Sequence, residues 1–290
     1  MLERLTLRNA CLLVEVLPQA GGGLARLDWL GGPEAAPLLR PLAGDSATPP
    51  LPSQLACFPL LPWSNRMAPS GFAFGGHRYV PAPTRAGEPC PIHGDAWLQA
   101  WQVEAHTAGS VRLSLERRTA TPFSYSATLD YRLDGAALVV ELTVTNRGLA
   151  TLPFGAGLHP WMPAPREALL TARFDGVWLA GPDKLPRDYV AAPAQWRFDG
   201  AAALPQGVDN VFAGWDGRAR IAWPRRGVAL EIEADMDYCI LYVPAGRDFF
   251  CVEPVDHPIN AHNLPGQPGL SLLAPGAALV RRWVFRGADL

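Results

Sequence analysis

The sequence predicts an all-β protein, a large antiparallel sandwich, and three observations carry that prediction. Several segments alternate apolar and polar residues with a period of two, as strands buried on one face do. No segment of helical length carries a 3.6-residue period. The 28 glycines and 30 prolines cut the 290 residues into many short pieces, a spacing that suits strands and turns. No linker-like shift of composition and no short fixed repeat interrupts the pattern, so residues 1–290 are read as a single domain.

In chain order, residues 2–30 supply the apolar pieces LTL, CLLVEV and LARLDWL. The glycines Gly21, Gly22 and Gly23 lie between the last two. No Gly-Lys-Ser/Thr follows them, so they read as a strand-connecting turn or bulge and not as a phosphate loop. Residues 31–53, rich in Pro, Gly and Ala, are expected to form an irregular surface excursion. VRLSLERR from Val111 is a strand. Tyr125, Ala127, Leu129, Tyr131 and Leu133 then alternate with polar residues. After Asp134-Gly135, Leu138, Val140, Leu142 and Val144 do the same, which predicts a long hairpin with a sharp turn. VALEIEAD from Val228 and ALVRRWVF from Ala278 repeat the period.

The 25 Lys and Arg against 27 Asp and Glu leave a formal charge of -2. No basic run or acidic tail is present, which argues against nucleic-acid and anionic-membrane partners. No signal peptide or membrane span is legible, so a cytoplasmic location is expected. Five widely spaced cysteines, Cys11, Cys57, Cys90, Cys239 and Cys251, read as reduced thiols without a disulfide framework or a zinc site.

Polar groups stand out in five places. Glu253 follows the apolar run Phe249 to Val252, where an ionisable group is costly. Pro254 and Pro258 are expected to stop the ladder there. Glu253 is either satisfied by backbone donors of its own loop or has a chemical task. Asn65 and Arg66 lie among aromatics in PWSNRMAPSGFAF, with Arg66 either stacked on Trp63 or offering its fork to a ligand. His93 occupies a turn before Trp97, whose face suits sugar stacking. His159 precedes Pro160 at the end of an apolar strand, which presents the imidazole at the sheet end. Asp209 either caps its own turn or accepts hydroxyls. A metal site from His93, His159, His257 and His262 is disfavoured, because His257 and His262 flank a proline and share no helix face.

Taken in order, NR, HG, HPW, DNVF and VEP…NLPG resemble the aldose 1-epimerase (galactose mutarotase) family over nearly the whole chain. The resemblance implies a twisted antiparallel super-sandwich with an open sugar-binding cleft. It also implies that Glu253 is the general base, His159 the general acid, and Arg66, His93 and Asp209 sugar-binding residues, with Asn65, Trp97 and Trp161 alongside. A small-molecule sugar is then the partner, and no metal or redox cofactor is called for. Trp161, where the family has Tyr or Phe, and Asp95, where it has Gly, are expected to alter which sugar fits. Residues 256–263 are expected to shape specificity too. The alternatives are a hexose-phosphate epimerase with Arg78 or Arg85 on the phosphate, a glycoside hydrolase pairing Glu253 with Asp209, and a silent sugar-binding module.

Overall fold

The computed structural model describes residues 2–44, 48–118 and 122–290. Among these residues regular structure is confined to β-strands and three-residue 3₁₀ turns. Two large antiparallel sheets dominate. One has nine strands, running in space 198–203, 169–172, 218–223, 228–234, 278–289, 137–146, 125–134, 110–117 and 102–106. The other has eight. Its order is 186–191, 176–180, 208–213, 238–243, 249–255, 157–158 and 59–60, and 161–163 also pairs with 249–255. A four-stranded N-terminal sheet comprises 5–8, 12–17, 23–29 and 36–37.

The central hairpin forms as its alternation predicts. Tyr125–Asp134 pairs with Ala137–Asn146 from Tyr125↔Asn146 to Asp134↔Ala137, leaving a two-residue turn with Gly135 at φ 58. The inward set is buried except for a half-buried Leu133. Val139 is buried as well, packed with Ala137 and Val284 on the opposite face. Tyr131 donates its hydroxyl hydrogen to the Gly22 carbonyl (2.9 Å), which ties this hairpin to the glycine turn. That turn connects strands Leu12–Leu17 and Gly23–Trp29, and a register shift follows Glu15.

One large apolar cluster draws on both big sheets. It takes Leu129, Leu142 and Trp283 from the nine-stranded sheet and Phe212, Leu241 and Phe250 from the other. The two-residue period of strand Phe249–Val255 sends Phe250 and Val252 into this core. Its alternate residues, Cys251 and Val255, belong to a second, smaller cluster with Val211 and Ile240. Glu253 lies between them on that second face.

Two expectations need correction. The ladder does not stop at Pro254, since Cys239↔Pro254 and Tyr238↔Val255 continue it. Residues 31–53 are not wholly a surface excursion. Leu38 and Leu39 are fully buried, and Leu38 N–H donates to Leu27 O (2.9 Å). Residues 45–47 of that stretch lie outside those described.

Candidate active site

The second face of the eight-stranded sheet opens into a cleft of about 690 Å³, within the usual range of about 300–1,000 Å³ for small-molecule sites. Glu253 and His159 meet in it, with His159 Nε2 3.4 Å from Glu253 Oε1. The register explains the meeting. Gly157 pairs with Val255 and Trp161 with Cys251, so one continuous register runs through both pairs and sets His159 directly opposite Glu253. Pro160 and Pro254 lie within the interval and have no N–H to donate, so the ladder opens there without a change of register. His159 directly follows the short strand Gly157–Leu158 and precedes Trp161–Pro163, and its N–H donates to Phe58 O (3.0 Å).

The pair is nearly dry, with Glu253 2% and His159 7% exposed. Burial pushes the Glu253 pKa well up, Asp209 adds to the rise and Arg66 opposes it. Burial pushes His159 down to about 3. The two groups stand at ion-pair distance, and burial favours the uncharged form of each. Glu253 Oε2 and the Trp161 indole nitrogen are buried without a hydrogen-bond partner, so the floor has polar capacity left for a ligand.

The loop carrying Asn65 and Arg66 is joined to His93. Asn65 N–H donates to His93 Nδ1 (3.0 Å), and His93 N–H returns a bond to Asn65 O (2.9 Å). Burial, with His159 and Arg66 next, holds His93 well below the usual histidine range. The imidazole is thus neutral with Nδ1 accepting, which puts its hydrogen on Nε2. His93 and Gly94 both have φ 62. A Cβ on Gly94 would fall 2.0 Å from Leu61 O, which explains why glycine follows histidine here. Arg66 lines the cleft and does not stack on Trp63. Glu88 clamps it through Nε (3.2 Å) and a terminal nitrogen (3.0 Å). Asp209 also lines the cleft, as the second residue of strand Val208–Ala213, and is 3.4 Å from Lys184 Nζ.

Trp97 and Trp161 both line the cleft. Trp97 stacks on Phe58 (5.5 Å, 23°) and donates to Gly94 O (2.9 Å). Trp161 lies parallel to the His159 ring (5.0 Å, 8°) and under the Arg40 guanidinium (4.3 Å). These contacts fix the Trp161 ring against the histidine. Asp95 is held by Arg117 (2.6 Å) and the Tyr125 hydroxyl (2.6 Å) and does not line the cleft. Residues 256–263 do not line it either and brace it from behind. His257 accepts from Ser64 N–H (3.0 Å), and Asn260 Oδ1 accepts from Ala68 N–H (2.9 Å).

Arg40, Tyr242 and Arg247 also line the cleft and were not legible in the sequence. Each lies in a segment whose local pattern suggests only a strand or a turn. Arg85 lines the cleft, whereas Arg78 is elsewhere, on the Phe72–Phe74/His77–Tyr79 hairpin, and donates to Ser70 O (2.9 Å). Among the described residues, His159, Cys251 and Glu253 offer three donor atoms within 4.8 Å of one another. Burial pushes the Cys251 thiol well above its usual pKa, and Glu253 adds to the rise.

A family model described as aldose 1-epimerase matches residues 3–285. The chain is 34% identical over 292 residues to the uncharacterized protein YphB of Escherichia coli K12, covering 97% of each. A crystal structure of a candidate aldose 1-epimerase from Escherichia coli K12 superposes with a TM-score of 0.92 at 31% identity, covering 99% of both chains. The fold is also that of a GalM/aldose epimerase homologue from C. elegans, with a TM-score of 0.83, 17% identity and 99% of each chain covered.

Proposed function

This chain belongs to the aldose 1-epimerase family, and from that premise we propose that it interconverts the α and β anomers of an aldose by acid–base ring opening and closure. The observation that carries the reading is the buried Glu253–His159 pair, 3.4 Å apart in the floor of an open cleft. The nearest partner of Glu253 is an imidazole and not a second carboxyl group, which favours proton exchange over glycoside hydrolysis.

The ion-paired form of the couple is the reactive one. Glu253 takes the proton of the anomeric hydroxyl while His159 Nε2 gives its proton to the ring oxygen. The C1–ring oxygen bond breaks and a free aldehyde forms. Rotation about C1–C2 turns the other carbonyl face to the ring-oxygen hydroxyl. In closure His159 recovers its proton, the bond to C1 re-forms and Glu253 protonates the carbonyl oxygen. Arg66 counters the burial penalty on ionised Glu253. His93 Nε2–H, Asn65, Arg66 and Asp209 hold substrate hydroxyls, and Trp97 and Trp161 form walls. Each proton transfer contributes about 10²- to 10⁴-fold.

The test is the optical rotation of freshly dissolved α-glucose and α-galactose, followed with and without protein in dilute buffer. Faster approach to an unchanged final rotation is expected with at least one aldose. No acceleration across a panel of neutral and charged aldoses would overturn the reading.

A further inference from the structure

Four guanidiniums line the cleft, those of Arg40, Arg66, Arg85 and Arg247, against the carboxyl groups of Asp209 and Glu253. The whole chain carries a formal charge of -2, so this positive concentration is local. Two of the four are already engaged. Arg66 is paired with Glu88. Arg40 is packed on Trp161 and Phe249, donates to Ser53 O (2.6 Å) and Leu55 O (3.2 Å), and feels the Asp248 carboxylate.

Arg85 and Arg247 differ from these two. Both are exposed on loops at the cleft, and neither guanidinium has a hydrogen-bond or ion-pair partner among the described residues. Their charges converge on Tyr242, which feels both, and Arg85 is also felt by His93 and His159. Tyr242 pairs with Asp209 on one side and Cys251 on the other, which places this end of the cleft beside the catalytic floor. A neutral sugar leaves two such cations uncompensated, whereas an anionic group accepts charge-assisted hydrogen bonds from both.

We propose that the aldose taken by this cleft carries an anionic group away from its anomeric carbon, a phosphate, sulfonate or carboxylate, seated between Arg85 and Arg247 over Tyr242. This rests on the anomer-exchange reading, with Glu253 and His159 working at the other end of the same sugar. The anionic group orients the ring and draws substrate from solution. The preference is therefore electrostatic and weakens with salt.

The test measures anomer exchange by NMR for glucose, galactose, their 6-phosphates and glucuronate, each corrected for its uncatalysed rate. An anionic sugar is expected to exceed its neutral parent in kcat/KM by about tenfold or more, as one added charge-assisted contact provides. That ratio should fall by about tenfold in the doubly substituted R85Q/R247Q protein and fall again at high ionic strength. The phosphates and the uronate separate a dianionic from a carboxylate preference. Catalysis of neutral sugars equal to or better than that of every anionic one overturns the proposal while leaving anomer exchange standing. If no sugar exchanges, binding followed by tryptophan fluorescence still decides. Tighter binding of an anionic sugar than its parent, lost in R85Q/R247Q, supports the anion seat, and equal or absent binding overturns it.

Discussion

Glu253 is a carboxyl group that burial presses toward its protonated form, so Gln is a close mimic of that form. Glu253→Gln should therefore fold normally and melt at an equal or higher temperature, while anomer exchange falls by about 10²-fold or more. Polarimetry and a thermal melt on the same sample check both halves. A rate within twofold of wild type would falsify the base assignment, and a large drop in Tm would show that Glu253 holds the fold together. His159→Asn should lose activity to a similar degree. Both residues were legible in the sequence because an ionisable group after an apolar run and a histidine before proline each break a local rule. Arg247 breaks none, since an arginine in a Pro-Ala-Gly turn is an ordinary surface residue until the fold aims it at a cleft.

The His93-Gly94 turn shows how a short element fixes a functional side chain. Its backbone passes against Leu61 O, where a Cβ on Gly94 would collide at 2.0 Å. Gly94→Ala should destabilise the protein by roughly 1–3 kcal/mol, seen as a lower denaturant midpoint, and should raise KM by displacing His93. The long hairpin was legible because its alternation is entirely local. Leu38 and Leu39 were not, because their burial is decided by partners such as Leu27 in a different strand. The role of Pro254 was misread for a related reason. A proline weakens a ladder on average, but here the pairing with strand 238–243 carries through Pro254 to Val255. The motif after Pro254 was legible as polar, but its direction was not. His257 and Asn260 turn their side chains to the Ser64–Ala68 backbone and leave the sugar cleft to others.

The chain as a whole buries four of its six histidines. Burial lowers the pKa of His159 to about 3, His257 to about 4 and His262 to about 3, and puts His93 well below 6.5. Unfolded, each titrates near 6.5. Between these values unfolding takes up protons. The stability that rests on neutral histidines is complete above about pH 7 and is lost as pH falls from about 6.5 toward 4. Glu253 and Asp256, whose pKa values burial raises, act in the opposite sense and cost stability as pH rises above the unfolded carboxylate range. Thermal melts from pH 7.5 to 4 should show Tm falling steadily below about 6.5. A constant Tm down to pH 4 would contradict neutral burial of these rings. The balance of the whole was legible only as composition. A net charge of -2 excludes a broadly basic surface but says nothing of how four arginines gather in one cleft.

In the proposed mechanism the 3.4 Å approach of His159 Nε2 to Glu253 Oε1 makes the pair a closed proton inventory. When the sugar ring opens, the proton that His159 gives away is matched by the one Glu253 gains, and the couple becomes neutral. That neutral couple is the form burial favours, so the same desolvation that opposes the ion pair favours the ring-open stage. Ring closure restores the starting arrangement without drawing on solvent. Turnover should accordingly be insensitive to buffer concentration at fixed pH and ionic strength, unlike the uncatalysed reaction, which solution acids and bases accelerate. On that mechanism the pair resets itself with each anomer released, whichever anomer that is.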